Sequence, residues 1–251
     1  MPPAPRPETR LEGAVWGMFA GDACARGHQR SAPTGAARRT PDGHGAGAPG
    51  DDGAVPGELT PAGDGALLLL RTLAAHGVDP AAYGRALVDR FGGGEPAAGL
   101  DPATRHLLAR RAERPPGAAF DHGADDDHDV TAARLAPLVV LRLGHPALML
   151  DVDAFTRVLQ DNDRAVAYAC TQARLLEHLL TGAELDTALD RVDAALERRT
   201  PLGAELADHV ERARRARDRE VAGFTAECGR AARLVEAFPA ALQAALAHAD
   251  D

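Results

Sequence analysis

The chain has 251 residues, of which 45% are hydrophobic and 4% aromatic, and its formal charge is −9. That is enough apolar material for a substantial core, and an acidic balance without a basic stripe excludes non-specific binding to nucleic acid, which depends on neutralising phosphates. Cys24, Cys170 and Cys228 are widely spaced and odd in number, which excludes a disulfide framework or a zinc ribbon and points to a reducing compartment. Met1 to Arg10 is proline-rich and charged, without the apolar run of a signal peptide. No later segment reaches the roughly 18 apolar residues of a membrane span, so the expectation is a cytoplasmic protein with no membrane partner. The sequence contains neither lysine nor isoleucine, so arginine stands in for every basic side chain and its forked geometry carries less information than usual.

In chain order the pattern is helical. Leu11, Val15, Met18 and Phe19 repeat at helical spacing. Thr60-Pro61 supplies a cap and a first-turn proline for a second helix through Leu67, Leu70, Leu73 and Ala74. Pro80 to Phe91 reads as a third, stopped by Gly92 to Gly94. Leu135 to Leu143, Val152 to Leu159, Ala165 to Leu180, Leu185 to Leu196, Leu206 to Val221 and Ala231 to Ala247 bring the total to about nine, separated by short turn signals. The short alternating runs that mark strands are almost absent. The expectation is one all-α domain over residues 1–251.

Two stretches lack periodicity. Residues 27–58 are rich in Gly, Ala, Pro, Arg and Asp, and residues 114–129 end in the acidic and histidine run His122 to Asp129. Loops of that length in a helical domain are either disordered or functional. A further oddity lies in the first helix, where Gly13, Gly17 and Gly21 recur every four residues before Asp22. Each glycine costs up to about 1 kcal/mol against alanine in a helix interior. Two causes fit: a neighbouring helix approaches closely, or this helix runs buried near the centre and delivers Asp22 to a cavity.

Gly13, Gly17, Gly21-Asp22-Ala23 resembles the opening signature of the ADP-ribosylglycohydrolases, an all-α family. Thr60 to Gly77 can be laid without a gap on that family's Thr-Asp-Asp-Thr helix start, and Asp129-Val130-Thr131-Ala132-Ala133-Arg134 resembles its Asn-Gly-Ser-Ala-Met-Arg segment. Asp161 to Val166 and Cys228 to Leu242 resemble later helical stretches in the same order. The resemblance implies a compact helical bundle, C-terminally shortened, and an ADP-ribosyl or dinucleotide ligand. It also exposes departures. The glutamate expected after Gly-Asp-Ala is Gln29, the acidic metal ligands fall on Pro61, Ala62 and Gly63, and the late acidic box has no counterpart before Asp251. A hard cation needs several oxygen ligands, mostly carboxylates, so no cofactor is expected and the family's magnesium pair is expected to be lost.

What the resemblance leaves at the cavity mouth is polar. Asp22, Asp64 and Asp129 are candidate acids, and His28 and His128 candidate bases, for cleavage of an N-ribosyl bond through an oxocarbenium-like transition state. His44, Asp51, Asp52, Asp121 and His122 lie on the same two loops. Gly21, Gln29, Thr60, Gly63, Thr131 and Arg134 are candidate substrate contacts, with the helix starts near Thr60 and Thr131 offering free amides to a diphosphate. Each has a structural alternative: an Asp after a helix can cap a turn, and Asp64 can complement a helix N-terminus. Two function classes follow, a diverged glycohydrolase working without magnesium and a non-catalytic nucleotide-binding or structural descendant, with a protein partner or homo-oligomer compatible with either. The retained polar residues tilt the reading to the enzyme.

Overall fold

The computed structural model describes residues 7–29, 58–93, 100–115, 120, 123–229 and 232–249, without the side chains of Pro7 and of residues 26–29. Among them lie eleven α-helices: α1 (Pro7–Gln29), α2 (Pro61–His76), α3 (Pro80–Phe91), α4 (Pro102–Ala112), α5 (Ala136–Leu141), α6 (Leu148–Leu159), α7 (Asp163–Leu180), α8 (Leu185–Ala195), α9 (Pro201–Arg215), α10 (Val221–Cys228) and α11 (Leu234–Ala247). A 3-10 turn, Ala132–Arg134, precedes α5. The described residues contain no strand, and their only bridges are the isolated pairs Ala124 with Gln160 and His128 with Arg233. The all-α expectation holds.

Local chemistry explains most of the starts. α2, α3, α4 and α9 each begin with a side-chain cap followed by proline, namely Thr60-Pro61, Asp79-Pro80, Asp101-Pro102 and Thr200-Pro201. The cap oxygen accepts from an otherwise unpaired amide, and proline fits a position whose N–H has no helical partner. α2 ends at Gly77, whose φ of +68° is open to glycine at little cost. Two helices escape the periodicity reading. α4 buries only Ala103, Thr104 and Leu107, too narrow a stripe to recur visibly, and α10 begins only at Val221, where the run expected from Leu206 ends, after α9 has stopped at Arg215.

The core has two main apolar clusters. The first gathers residues such as Leu69, Tyr83, Leu107, Leu138, Phe155 and Ala169 from α2 to α7. The second gathers Ala165, Tyr168, Leu189, Leu206, Val210 and Phe238 from α7, α8, α9 and α11. α7 contributes to both, so it forms the wall the two clusters share. No helix among the described residues is long and apolar enough to cross a membrane.

The first helix departs from expectation. α1 is not buried near the centre. Leu11 and Ala14 lean on the first cluster, whereas Gly13, Gly17 and Gly21 face outward with none of the described residues within 4 Å of where a Cβ would stand. Trp16, on the same outer face, is 71% exposed. Among the described residues, neither close approach nor central burial explains the glycines.

Candidate functional site

α1 meets α2 at Asp22. Both of its carboxylate oxygens are engaged by one residue: the Thr60 backbone N–H donates to Oδ2 at 2.7 Å and the Thr60 hydroxyl donates to Oδ1. The Thr60 Oγ1 accepts in turn from the amides of Ala62 and Gly63 at 3.1 and 3.4 Å. A Cβ on Gly63 would stand 2.2 Å from Asp22 Oδ2. Asp22 therefore clamps the first turn of α2, and the amides expected to be free for a diphosphate are already bonded. Asp64, one step further, receives Arg90 Nη2 at 2.5 Å in a surface ion pair.

Behind that turn the Arg134 side chain, 2% exposed, is buried among α2, α3 and α4. Its Nη2 donates to Asp101 Oδ2 at 3.1 Å, while Nε and Nη1 are buried with no hydrogen-bond partner among the described residues. Gly65 makes room for it, since a Cβ there would lie 2.8 Å from the guanidinium carbon, and the neighbouring Tyr83 hydroxyl donates to the Gly65 carbonyl at 3.3 Å. Asp129, half-buried, has Oδ1 shielded from solvent with no hydrogen-bond partner among the described residues. Burial pushes its carboxyl pKa up, and the charge of Arg134 opposes that rise without cancelling it.

The acidic run is neither disordered nor freely solvated over residues 123–129. The Ala124 amide donates to the Leu159 carbonyl at 2.8 Å, and Asn162 Nδ2 to Asp125 at 2.6 Å. Asp127 pairs with Arg164 and Arg233. Gln160, between α6 and α7 and 1% exposed, donates to the carbonyls of Asp126 and His128 at 3.0 and 2.8 Å and accepts from Thr131 N–H and Oγ1 at 3.1 and 2.8 Å. Thr131 is thus also spent internally. His128 is 31% exposed, and its Nδ1 lies 2.7 Å from Asp126 Oδ1.

The geometry brings together three of the expected segments: the end of α1, the start of α2, and Asp129 to Arg134. Gly21 sits on the outer face of α1. His28 and Gln29 belong to the last turn of α1, with side chains outside the described residues, where His44, Asp51, Asp52, Asp121 and His122 also lie. Asp101, Tyr83 and Gln160 are not among the residues that the sequence singles out, and Asp126 enters only as a member of the acidic run; the Asp101-Pro102 cap pattern is the one local signal that points to Asp101.

The ADP-ribosylglycohydrolase family model matches residues 3–251. The chain belongs to this family. A solved structure described as an ADP-ribosylglycohydrolase-related protein complex is similar in fold, with a TM-score of 0.61 and 23% identity over 94% of this chain and 81% of that one. No curated protein matches the chain. For the magnesium pair associated with these glycohydrolases, the described residues do not fit: Pro61, Ala62 and Gly63 offer no side-chain oxygen, and the nearby carboxylate of Asp22 is held by Thr60 over Gly63. Among the described residues, no group of three or more His, Cys, Asp or Glu side chains is disposed to hold a metal.

Proposed function

We propose that this family member hydrolyses the N-ribosyl bond of an ADP-ribosyl or NAD-derived substrate without a resident magnesium pair. The observation that carries the reading is Asp129, a half-buried carboxyl whose pKa is pushed up by desolvation, next in sequence to the partly exposed imidazole of His128. Two neighbouring titratable groups in unlike environments divide acid and base work between them. His128 takes a proton from the attacking water as its oxygen bonds to the anomeric carbon, and Asp129, whose burial favours its proton-bearing form, gives that proton to the leaving nitrogen as the C–N bond breaks. Asp22 and Thr60 hold the start of α2 in place.

Calorimetric titration with ADP-ribose and NAD, with and without magnesium, followed by turnover of a panel of N-ribosyl substrates, tests this. Binding and turnover independent of magnesium are expected, with His128→Ala and Asp129→Asn each lowering turnover by roughly 10²-fold or more while binding persists. Binding without turnover assigns the non-catalytic role. Absence of binding at millimolar ligand removes both.

A further inference from the structure

His128 is held in a way that selects one of its two neutral forms. Its Nδ1 faces Asp126 Oδ1 at 2.7 Å, and an ionised carboxylate offers only acceptors, so the proton of a neutral imidazole belongs on Nδ1 and Nε2 is left with a free lone pair. Asp126 is itself fixed. Its Oδ2 accepts from the His128 amide at 3.3 Å and from Gln160 Nε2 at 3.4 Å, and its side chain is 11% exposed. Gln160 grips the backbone on both sides of the imidazole, at the carbonyls of Asp126 and His128, and reaches Thr131 with its carbonyl oxygen. The corner carrying Gln160 is braced by Arg157, which spans Asp153, Asp161 and Asp163 at 2.7, 2.6 and 2.8 Å.

We infer that Asp126 and Gln160 are positioning residues that hold His128 as its Nδ1-protonated tautomer, with Nε2 presented as the acceptor for a substrate or water proton. Its catalytic meaning rests on the proposed role of His128 as base. A solvated Asp–His contact would leave the imidazole exchanging between tautomers. Here one buried amide anchors the carboxylate, the loop backbone and the following threonine, so rotation of either ring or carboxylate breaks several bonds together.

The test is nitrogen-15 imidazole NMR on the full chain at alkaline pH, assigned with His128→Gln. A protonated Nδ1 and an unprotonated Nε2 are expected in the wild type. A proton on Nε2, or rapid averaging between the two forms, overturns the inference and needs no variant. Asp126→Asn should shift the population towards the Nε2-protonated form and lower kcat by roughly 10²- to 10⁴-fold with little change in KM, as loss of the correct tautomer does in hydrolase triads, and Asp126→Glu should recover part of it. An unchanged tautomer in Asp126→Asn overturns the role of Asp126, and the same tautomer with the same ring exchange in Gln160→Leu overturns that of Gln160. If no substrate is turned over, the hydrolase reading fails, yet the NMR result still decides whether this pair orders the imidazole.

Discussion

At the residue scale, two side chains carry opposite burdens. Thr60 makes four of these hydrogen bonds to three residues, accepting from Ala62 and Gly63 and donating twice to Asp22. Thr60→Val keeps the volume but removes the hydroxyl, costing the cap and leaving Asp22 Oδ1 underbonded. A loss of about 1–3 kcal/mol in denaturant unfolding is expected, with Thr60→Ser close to wild type. A loss below the scatter of surface substitutions would mean that the α1–α2 junction contributes little. Asp129 instead resists its charge. Because burial raises its folded pKa above 3.8, the folded chain binds that proton more tightly than the unfolded chain does. The associated stability is complete below pH 3.8 and is lost as pH rises through the folded value. Asp129→Asn, which never ionises, should therefore gain melting temperature relative to wild type as pH is raised from below 3.8 towards neutrality. A difference that stays constant across that range would remove the raised pKa from the account.

At the element scale, the glycines of α1 and α2 make a contrast that melting can read. Gly17 has open space where a Cβ would stand, so Gly17→Ala should stabilise by about 0.5–1 kcal/mol through helix propensity alone. Gly63→Ala drives a methyl into the Asp22 carboxylate and should destabilise by about 1–3 kcal/mol, as overpacking does. Reversal of either sign would show that α1 lies against something other than what is described. The same contrast marks what sequence reading could reach. The start of α2 was legible because the cap and proline chemistry of Thr60-Pro61 is local, although the same pattern at Asp101-Pro102 and Thr200-Pro201 did not mark α4 and α9, and the long apolar runs of α2 and α7 announce their own faces. The outward turn of α1 was not legible, because a glycine stripe looks identical whether a neighbour fills it or not. Gln160 was hidden for a related reason: a single amide reveals its value only through the five groups that converge on it from residues 126–131, about thirty positions earlier.

For the whole molecule, the decisive question is whether a cation contributes to the folded state. The place where family ligands would gather is filled by one carboxylate and one threonine that satisfy each other. A ligand stabilises only the state it binds, so excess magnesium or a chelator should leave the melting temperature unchanged. A magnesium-dependent rise of several degrees would overturn the proposal that the pair is absent and direct attention to Asp51, Asp52 and the residues beside them. The exposed face of α1 has a practical consequence for any such measurement. Trp16 is the only tryptophan in the chain and is already in water in the fold. Its emission should sit near that of the free indole and shift little on denaturation, so intrinsic fluorescence will be almost silent to unfolding while far-ultraviolet ellipticity falls. A blue shift would instead signal that something has come to cover α1, which turns this residue into a background-free reporter of association.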